Sequence, residues 1–260
     1  MPWLRPLSAW RGLGRRLADA RLLAVALLGV LSAALFAYVG AANLRRDAHD
    51  APARRALRQF ALWWLGLALY TLQGAATSLL VAAGVTHLGA HVALLALGYV
   101  PLMVALWGLL SYLVYIHAGT HRLQPLLKAY HVALGAGLVL LLARTRPTAV
   151  VASGWGTQVA YAHPLALLVF AILGPVLASA VAYGALYRKT PDPAARRRIR
   201  LVSASLVLWF GLSIAAGAQV VSADWWPLAA RLLALGASLL LLRAFAPGAL
   251  TGRAPAAAAR

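Results

Sequence analysis

The sequence predicts an all-α, polytopic membrane protein: a bundle of seven transmembrane helices. Three observations predict it. Of the 260 residues, 63% are hydrophobic and 11% are charged, whereas a soluble domain carries about 25% charged residues. Apolar runs of roughly 18 residues or more recur, each long enough to cross about 30 Å of hydrocarbon. The basic residues fall almost entirely between those runs, where membrane topology places them. That placement assigns the net charge of +19 to lipid headgroups and excludes nucleic acid as a partner. No cysteine occurs, which excludes disulfides, thiolate metal sites and cysteine nucleophiles.

Residues 1–21 carry Arg5, Arg11, Arg15, Arg16 and Arg21, with Trp3, Leu7, Trp10 and Leu17 near helical spacing. They read as a basic amphipathic segment able to lie on a headgroup surface. The following apolar run is too long, and lacks a cleavage site, for a signal peptide. Residues 22–247 form the transmembrane domain, with spans at 22–43, 59–83, 91–117, 128–144, 163–187, 200–221 and 226–247. The fourth is the shortest: the residues between Lys128 and Arg144 make roughly 22 Å of helix, so it relies on snorkelling flanks or a thinned bilayer. The 145–162 loop, with Gly154-Trp155-Gly156, reads as lying against the outer interface. The Ala-rich tail, 248–260, reads as disordered.

Basic residues orient the bundle. Arg45, Arg46, Arg54, Arg55 and Arg58 follow the first span, and Arg122 and Lys128 follow the third. Arg188, Lys189, Arg196, Arg197, Arg198 and Arg200 follow the fifth, and Arg243, Arg253 and Arg260 end the chain. The other side holds Arg144 and Arg146, with Arg231 just inside the seventh span. The positive-inside rule therefore puts the C-terminus in the cytoplasm and, with seven spans, the N-terminus outside an inner membrane. The basic residues of 1–21 run against that placement.

One basic string is written twice. "DAPARRALR" (50–58) and "DPAARRRIR" (192–200) align without a gap, matching Asp50, Ala53, Arg54, Arg55 and Arg58 to Asp192, Ala195, Arg196, Arg197 and Arg200. The offset carries further matches among Leu, Ala and Val, such as Leu23 to Leu165 and Val39 to Val181. A parallel 3+1+3 duplication, with the fourth span as an odd linker, accounts for the echo. Positive-inside anchoring of two unrelated loops accounts for it equally well.

No Asp, Glu or Lys lies in the middle of a span. Ion-coupled carriers and pumps commonly place an ionisable group there, and attachment of retinal needs a lysine. The polar residues instead form stripes. Trp63, Gly66, Tyr70, Gln73 and Thr77 share one face of the second span, and Trp107, Ser111 and Tyr115 share one face of the third, below Pro101. The sixth span offers Ser203, Ser205, Ser213 and Gln219. Such residues can be interhelical glue; as a ligand pocket they would supply aromatic walls with a few orienting amides and hydroxyls. The candidate ligand-binding residues are Trp63, Tyr70, Gln73, Thr77, Trp107, Ser111, Tyr115 and Gln219.

His87 and His91 stand one turn apart at the outer end of the third span, with His163 on the same side at the start of the fifth. These three are the candidate metal set, because an i, i+4 pair can chelate and a third ligand can complete a zinc-type site. His117 and His121 repeat the spacing at the inner end, near His131, and two facing histidines could hold a haem. The carboxylate that commonly orients a ligating histidine is missing apart from Asp224. No Ser/His/Asp set converges, so no enzyme is expected and no catalytic residue is assigned.

Three stretches carry a resemblance: "ARRALRQFALWWLGLALYTLQGA" (53–75), "YLVYIHAGTHRL" (112–123) and "YRKTPDPAARRRIRLVSASLVLWFG" (187–211). Together they resemble the seven-helix sensory region found at the N-terminus of many bacterial and archaeal histidine kinases and cyclases. The resemblance covers most of 22–247 and implies a sensory role, with no defined binding residues to carry over. The dozen or so residues after the seventh span leave no room for a kinase or cyclase, so output is expected through a separate cytoplasmic protein.

The expectation is a sensor- or receptor-like protein that binds a small, mostly apolar ligand among spans 2, 3, 6 and 7, with no cofactor. Its expected partners are membrane lipids, the signalling protein and a second copy of itself. The alternatives are a small 3+1+3 transporter and a haem- or metal-binding membrane protein.

Overall fold

The computed structural model describes residues 7–46, 50–85, 87–118, 123–144, 149–153, 155–160, 163–217 and 225–245. Within these, the side chains of 7–19, 116–118, 141–142, 149–153, 156–160, 163–173, 175, 210–217 and 226 are outside the description. The order is α1 (Leu7–Leu44), α2 (Ala51–Ala82), α3 (Leu88–Ala118), α4 (Gln124–Arg144), β1 (Ala149–Ser153), β2 (Gly156–Ala160), α5 (His163–Lys189), α6 (Pro193–Gly217) and α7 (Trp226–Phe245).

Each expected span has its helix. Four contain stretches long and apolar enough to cross a membrane: Ala20–Leu44, Ala51–Ala82, Leu88–Tyr115 and Pro227–Phe245. The helices also reach beyond the apolar runs. α1 begins at Leu7 and continues without a break from the basic N-terminal segment into the first apolar run. α4 starts at Gln124 rather than at Lys128 and has 21 residues, ending at Arg144.

α2 and α6 take their first turns from the Arg-rich strings. Asp50 has extended backbone (φ −134°, ψ 165°) and caps α2, with Pro52 in the first turn. A proline there loses no bond, because its missing N–H would have had no intrahelical acceptor.

The 145–162 segment departs from the all-α expectation. Its described part is an antiparallel hairpin with Ala149 opposite Ala160 and Ser153 opposite Gly156. Val150, Val151, Thr157 and Val159 are β-branched and favour the extended backbone, and Trp155 stands between the two strands. β2 rests on α1, α2 and α7, and β1 on α3. The hairpin therefore packs on one end of the bundle. The guanidinium of Arg21 stands 5.0 Å from the ring centre of Trp155, tying the hairpin to α1.

α1, α2 and α3 pack in succession, as do α5, α6 and α7. α7 returns to α1 and α3 meets α5, closing a ring, and α4 lies against α3 and α5. At the end opposite the hairpin, Arg46 donates from Nη2 to the Phe245 carbonyl oxygen (3.1 Å), joining the end of α1 to the end of α7. The core runs through the ring and is strongly aromatic: Phe36, Phe60, Trp63, Trp64, Tyr183 and Trp209 are all buried.

Small residues set the closest helix approaches. A methyl group on Gly66 would meet the Pro101 carbonyl oxygen at 2.6 Å and Ala105 Cβ at 2.8 Å. One on Gly108 would fall against the α2 backbone at Gln59. Helices that gain little from burying apolar surface in lipid associate through such backbone-to-backbone packing.

Candidate functional site

The second-span stripe divides among three neighbours. Trp63 is fully buried, edge-on to Trp64 (5.4 Å) and to Trp209 of α6 (5.8 Å). Gly66 faces α3. Tyr70 turns inward, edge-on to Trp209 at 6.4 Å. Gln73 faces α3, where its amide fills the space above Gly98; its Nε2 donates to Thr77 Oγ1 (3.3 Å) and Thr77 Oγ1 donates to the Gln73 carbonyl (3.1 Å).

Trp107 and Ser111 of the third-span stripe face α4. Trp107 is edge-on to His131 at 5.2 Å, and Ser111 Oγ donates to Gln124 Oε1 at 3.3 Å. Tyr115 is half-buried near the end of α3. Trp107 and Ser111 thus tie α3 to α4. Gln219 lies outside the described residues.

The residue that sequence reasoning passed over is Arg231. Its place just inside the seventh span holds: it sits within the apolar stretch Pro227–Phe245 of α7, half-buried. Gly74 makes its room, and Gly29 lies beside its stem. A methyl group on Gly74 would fall on the Arg231 guanidinium, and one on Gly29 would stand 3.7 Å from its Cδ. Tyr70 lies within electrostatic reach. The described carboxylates, Asp50 and Asp192, cap helices at the opposite end. Arg231, Tyr70 and Trp209 thus bring α7, α2 and α6 together around one cation and two aromatic rings. A fixed cation in low-dielectric surroundings attracts an anion far more strongly than one in water. The signal was legible: an ionisable residue within an apolar run is a functional candidate by default.

Of the metal set, His91 is buried and its Nε2–H donates to the Val85 carbonyl (2.8 Å). That bond leaves Nδ1 as the nitrogen with a free lone pair, and it has no partner. His87 is exposed, and the His163 side chain lies outside the described residues. Among the described residues no three histidines or carboxylates come together to hold a metal.

A lateral groove of about 470 Å³ runs between α2 and α3, lined by Gly66, Gln73, Gly98, Pro101 and aliphatic side chains. Leu69, Leu97 and Val100 on its rim are more than half exposed, so it opens sideways, as a surface for acyl chains does.

No family model, no curated protein and no solved structure matches this chain.

Proposed function

We propose that the chain is a seven-span inner-membrane sensor that binds a small, mostly apolar ligand inside the bundle and signals through a separate cytoplasmic partner. The observation that carries this reading is Arg231, which stands inside the apolar stretch of α7 with its guanidinium over Gly74 and within electrostatic reach of Tyr70. It narrows the ligand to an apolar body with an anionic head, such as a medium-chain carboxylate. The arginines at the ends of α1, α5 and α7 support a cytoplasmic C-terminus and an external hairpin. Ligand binding would act by favouring one of two helix packings, and only through differential affinity for them.

The test is a thermal-unfolding series on the purified chain with medium-chain carboxylic acids and the matching alcohols. The reading expects stabilisation by the acids alone and its loss in Arg231→Gln. Absence of any ligand-dependent shift across a wider lipid and metabolite panel would remove the receptor reading. Reporter fusions in the loops and at both ends test the orientation.

The ring packing favours a second reading, a 3+1+3 transporter. Matching α1, α2 and α3 to α5, α6 and α7 sends every neighbouring pair among these six helices onto another neighbouring pair, including α3–α5 onto α7–α1. Uptake of the same carboxylates into proteoliposomes would favour transport over sensing.

A further inference from the structure

The Arg-rich end of the bundle holds two cavities, and they occupy equivalent places. The first, about 190 Å³, lies where α1 hands over to α2 and is lined by Asn43, Arg45, Arg46, Arg54 and Arg58, among others. The second, about 230 Å³, lies where α5 hands over to α6 and is lined by Tyr187, Pro193, Arg196, Arg197 and Arg200. The offset that takes Asp50 to Asp192 also takes Arg45, Arg54 and Arg58 to Tyr187, Arg196 and Arg200. The cavities therefore share two positions of the repeated string, Arg54 with Arg196 and Arg58 with Arg200, and each gathers at least three arginines around a space the size of a small headgroup.

Nothing described neutralises these arginines. Asp50 and Asp192, the described carboxylates nearest them in sequence, accept bonds from the backbone N–H groups of Ala53, Ala194 and Ala195. Arg46 is crowded by the like charge of Arg198, and burial together with that charge holds its guanidinium below the ordinary arginine value. The clusters thus ask for an external anion. Arginine forks match a phosphoryl group through paired N–H donors. An apolar path also leads away from each cavity: Leu44 and Tyr38 are about half exposed on α1, and Val181 and Leu177 are exposed on α5.

We infer that the two helix elbows are paired phosphoryl-binding sites, each taking one phosphate-bearing group, so that the chain binds two. An anionic phospholipid headgroup and free phosphate share this chemistry. The path of exposed apolar side chains favours the lipid.

Native mass spectrometry of the full chain, with phosphatidylglycerol and phosphatidylcholine offered at equal concentration, tests the inference. The wild type is expected to retain two phosphatidylglycerols in preference to phosphatidylcholine. The pairs Arg54→Gln with Arg58→Gln, and Arg196→Gln with Arg200→Gln, should each retain one, with affinity at the altered elbow falling at least about tenfold. The quadruple variant should retain none. If the quadruple variant fails to fold, the two paired variants carry the test, since each leaves one elbow intact.

A parallel arm adds millimolar inorganic phosphate. Displacement of the lipid, with thermal stabilisation by phosphate alone, assigns the sites to soluble phosphate; no displacement assigns them to lipid; either result keeps the phosphoryl site. Equal retention of the two lipids with no response to phosphate overturns it. So does undiminished binding by the quadruple variant, and so does a response to polyglutamate without one to lipid or phosphate.

Discussion

Asp50 and Asp192 cap α2 and α6 with the same bond. The Ala53 N–H donates to Asp50 Oδ1 at 2.6 Å and the Ala195 N–H donates to Asp192 Oδ2 at 3.0 Å. The helices open alike behind them: the Arg54 N–H donates to the Asp50 carbonyl (3.1 Å) and the Arg196 N–H to the Asp192 carbonyl (2.9 Å). The repeated string is therefore a helix start written twice. Asp50→Ala and Asp192→Ala should each cost about 1 kcal/mol, within the usual range for a lost cap. Asp→Asn should cost little, because the amide oxygen still accepts. The caps sit on different helices, so the double alanine variant should show nearly the sum. Unfolding by denaturing detergent, followed by circular dichroism, measures all five.

Those caps show what was legible. The helices follow from apolar runs, and among the described residues four are long and apolar enough to cross a membrane, where the backbone must satisfy its own hydrogen bonds. The helix starts were misplaced by several residues because Arg-rich turns read as loop, although Asp followed closely by Pro is itself a start signal. The hairpin hid because Val150 and Val151 lie in a stretch that is apolar without being long. The second-span stripe divides among neighbours for a geometric reason. Spacing says which residues share a face, but α2 has neighbours on several sides, so Gly66 meets α3 while Tyr70 meets α6. Arg231 was visible in the sequence; what the sequence lacked was Gly74 on α2, which makes its room.

Gly66 should be far less replaceable than Gly135. Gly66→Ala drives a methyl group into the α3 backbone at Pro101 and Ala105, whereas nothing stands within 4 Å of the same methyl on Gly135. The first should destabilise by roughly 1–3 kcal/mol, as overpacking does. The second should stabilise by up to about 1 kcal/mol, because alanine is the better helix former. Opposite signs in the same detergent titration would bear this out; equal effects would mean the α2–α3 approach is looser than described.

Gly74→Ala should separate stability from ligand response. Its new methyl meets only the flexible end of Arg231, so the guanidinium can swing aside at a cost of about 1 kcal/mol or less. Swinging aside moves the cation away from Tyr70. Carboxylate-dependent stabilisation should then fall as it does in Arg231→Gln, while the unliganded melting temperature changes by only a few degrees. A full ligand response in Gly74→Ala would show that the guanidinium position is immaterial.

Trp155 should hold the hairpin over its end of the bundle. Its contact with Arg21 (5.0 Å) is a cation–π pair, worth about 0.5–1 kcal/mol at an exposed site. Trp155→Ala should leave global stability almost unchanged but speed hydrogen exchange of the β1–β2 amides several-fold, because that ladder opens locally. Trp155→Phe should fall between the two.

Arg46 presents the opposite balance. Its guanidinium donates to the Phe245 carbonyl and stands 5.3 Å from the Phe245 ring centre, yet burial and the charge of Arg198 push its proton affinity down. A base whose folded pKa lies below its unfolded value costs stability wherever both states are charged, which includes neutral pH. Stability attributable to Arg46 should therefore rise only at strongly alkaline pH, as the folded state loses its proton first. At neutral pH the cost can be relieved through its neighbour. Arg198→Gln should stabilise the protein by a few tenths of a kcal/mol at most, since Arg198 is solvent-exposed and its charge is screened. The gain should vanish near 1 M salt, where the screening length falls to about 3 Å. Arg46→Gln should instead destabilise, because it removes the one described side-chain bond from the end of α1 to the end of α7. Detergent unfolding of both variants at low and high salt distinguishes the two effects, and a salt-independent gain in Arg198→Gln would count against charge crowding as its cause.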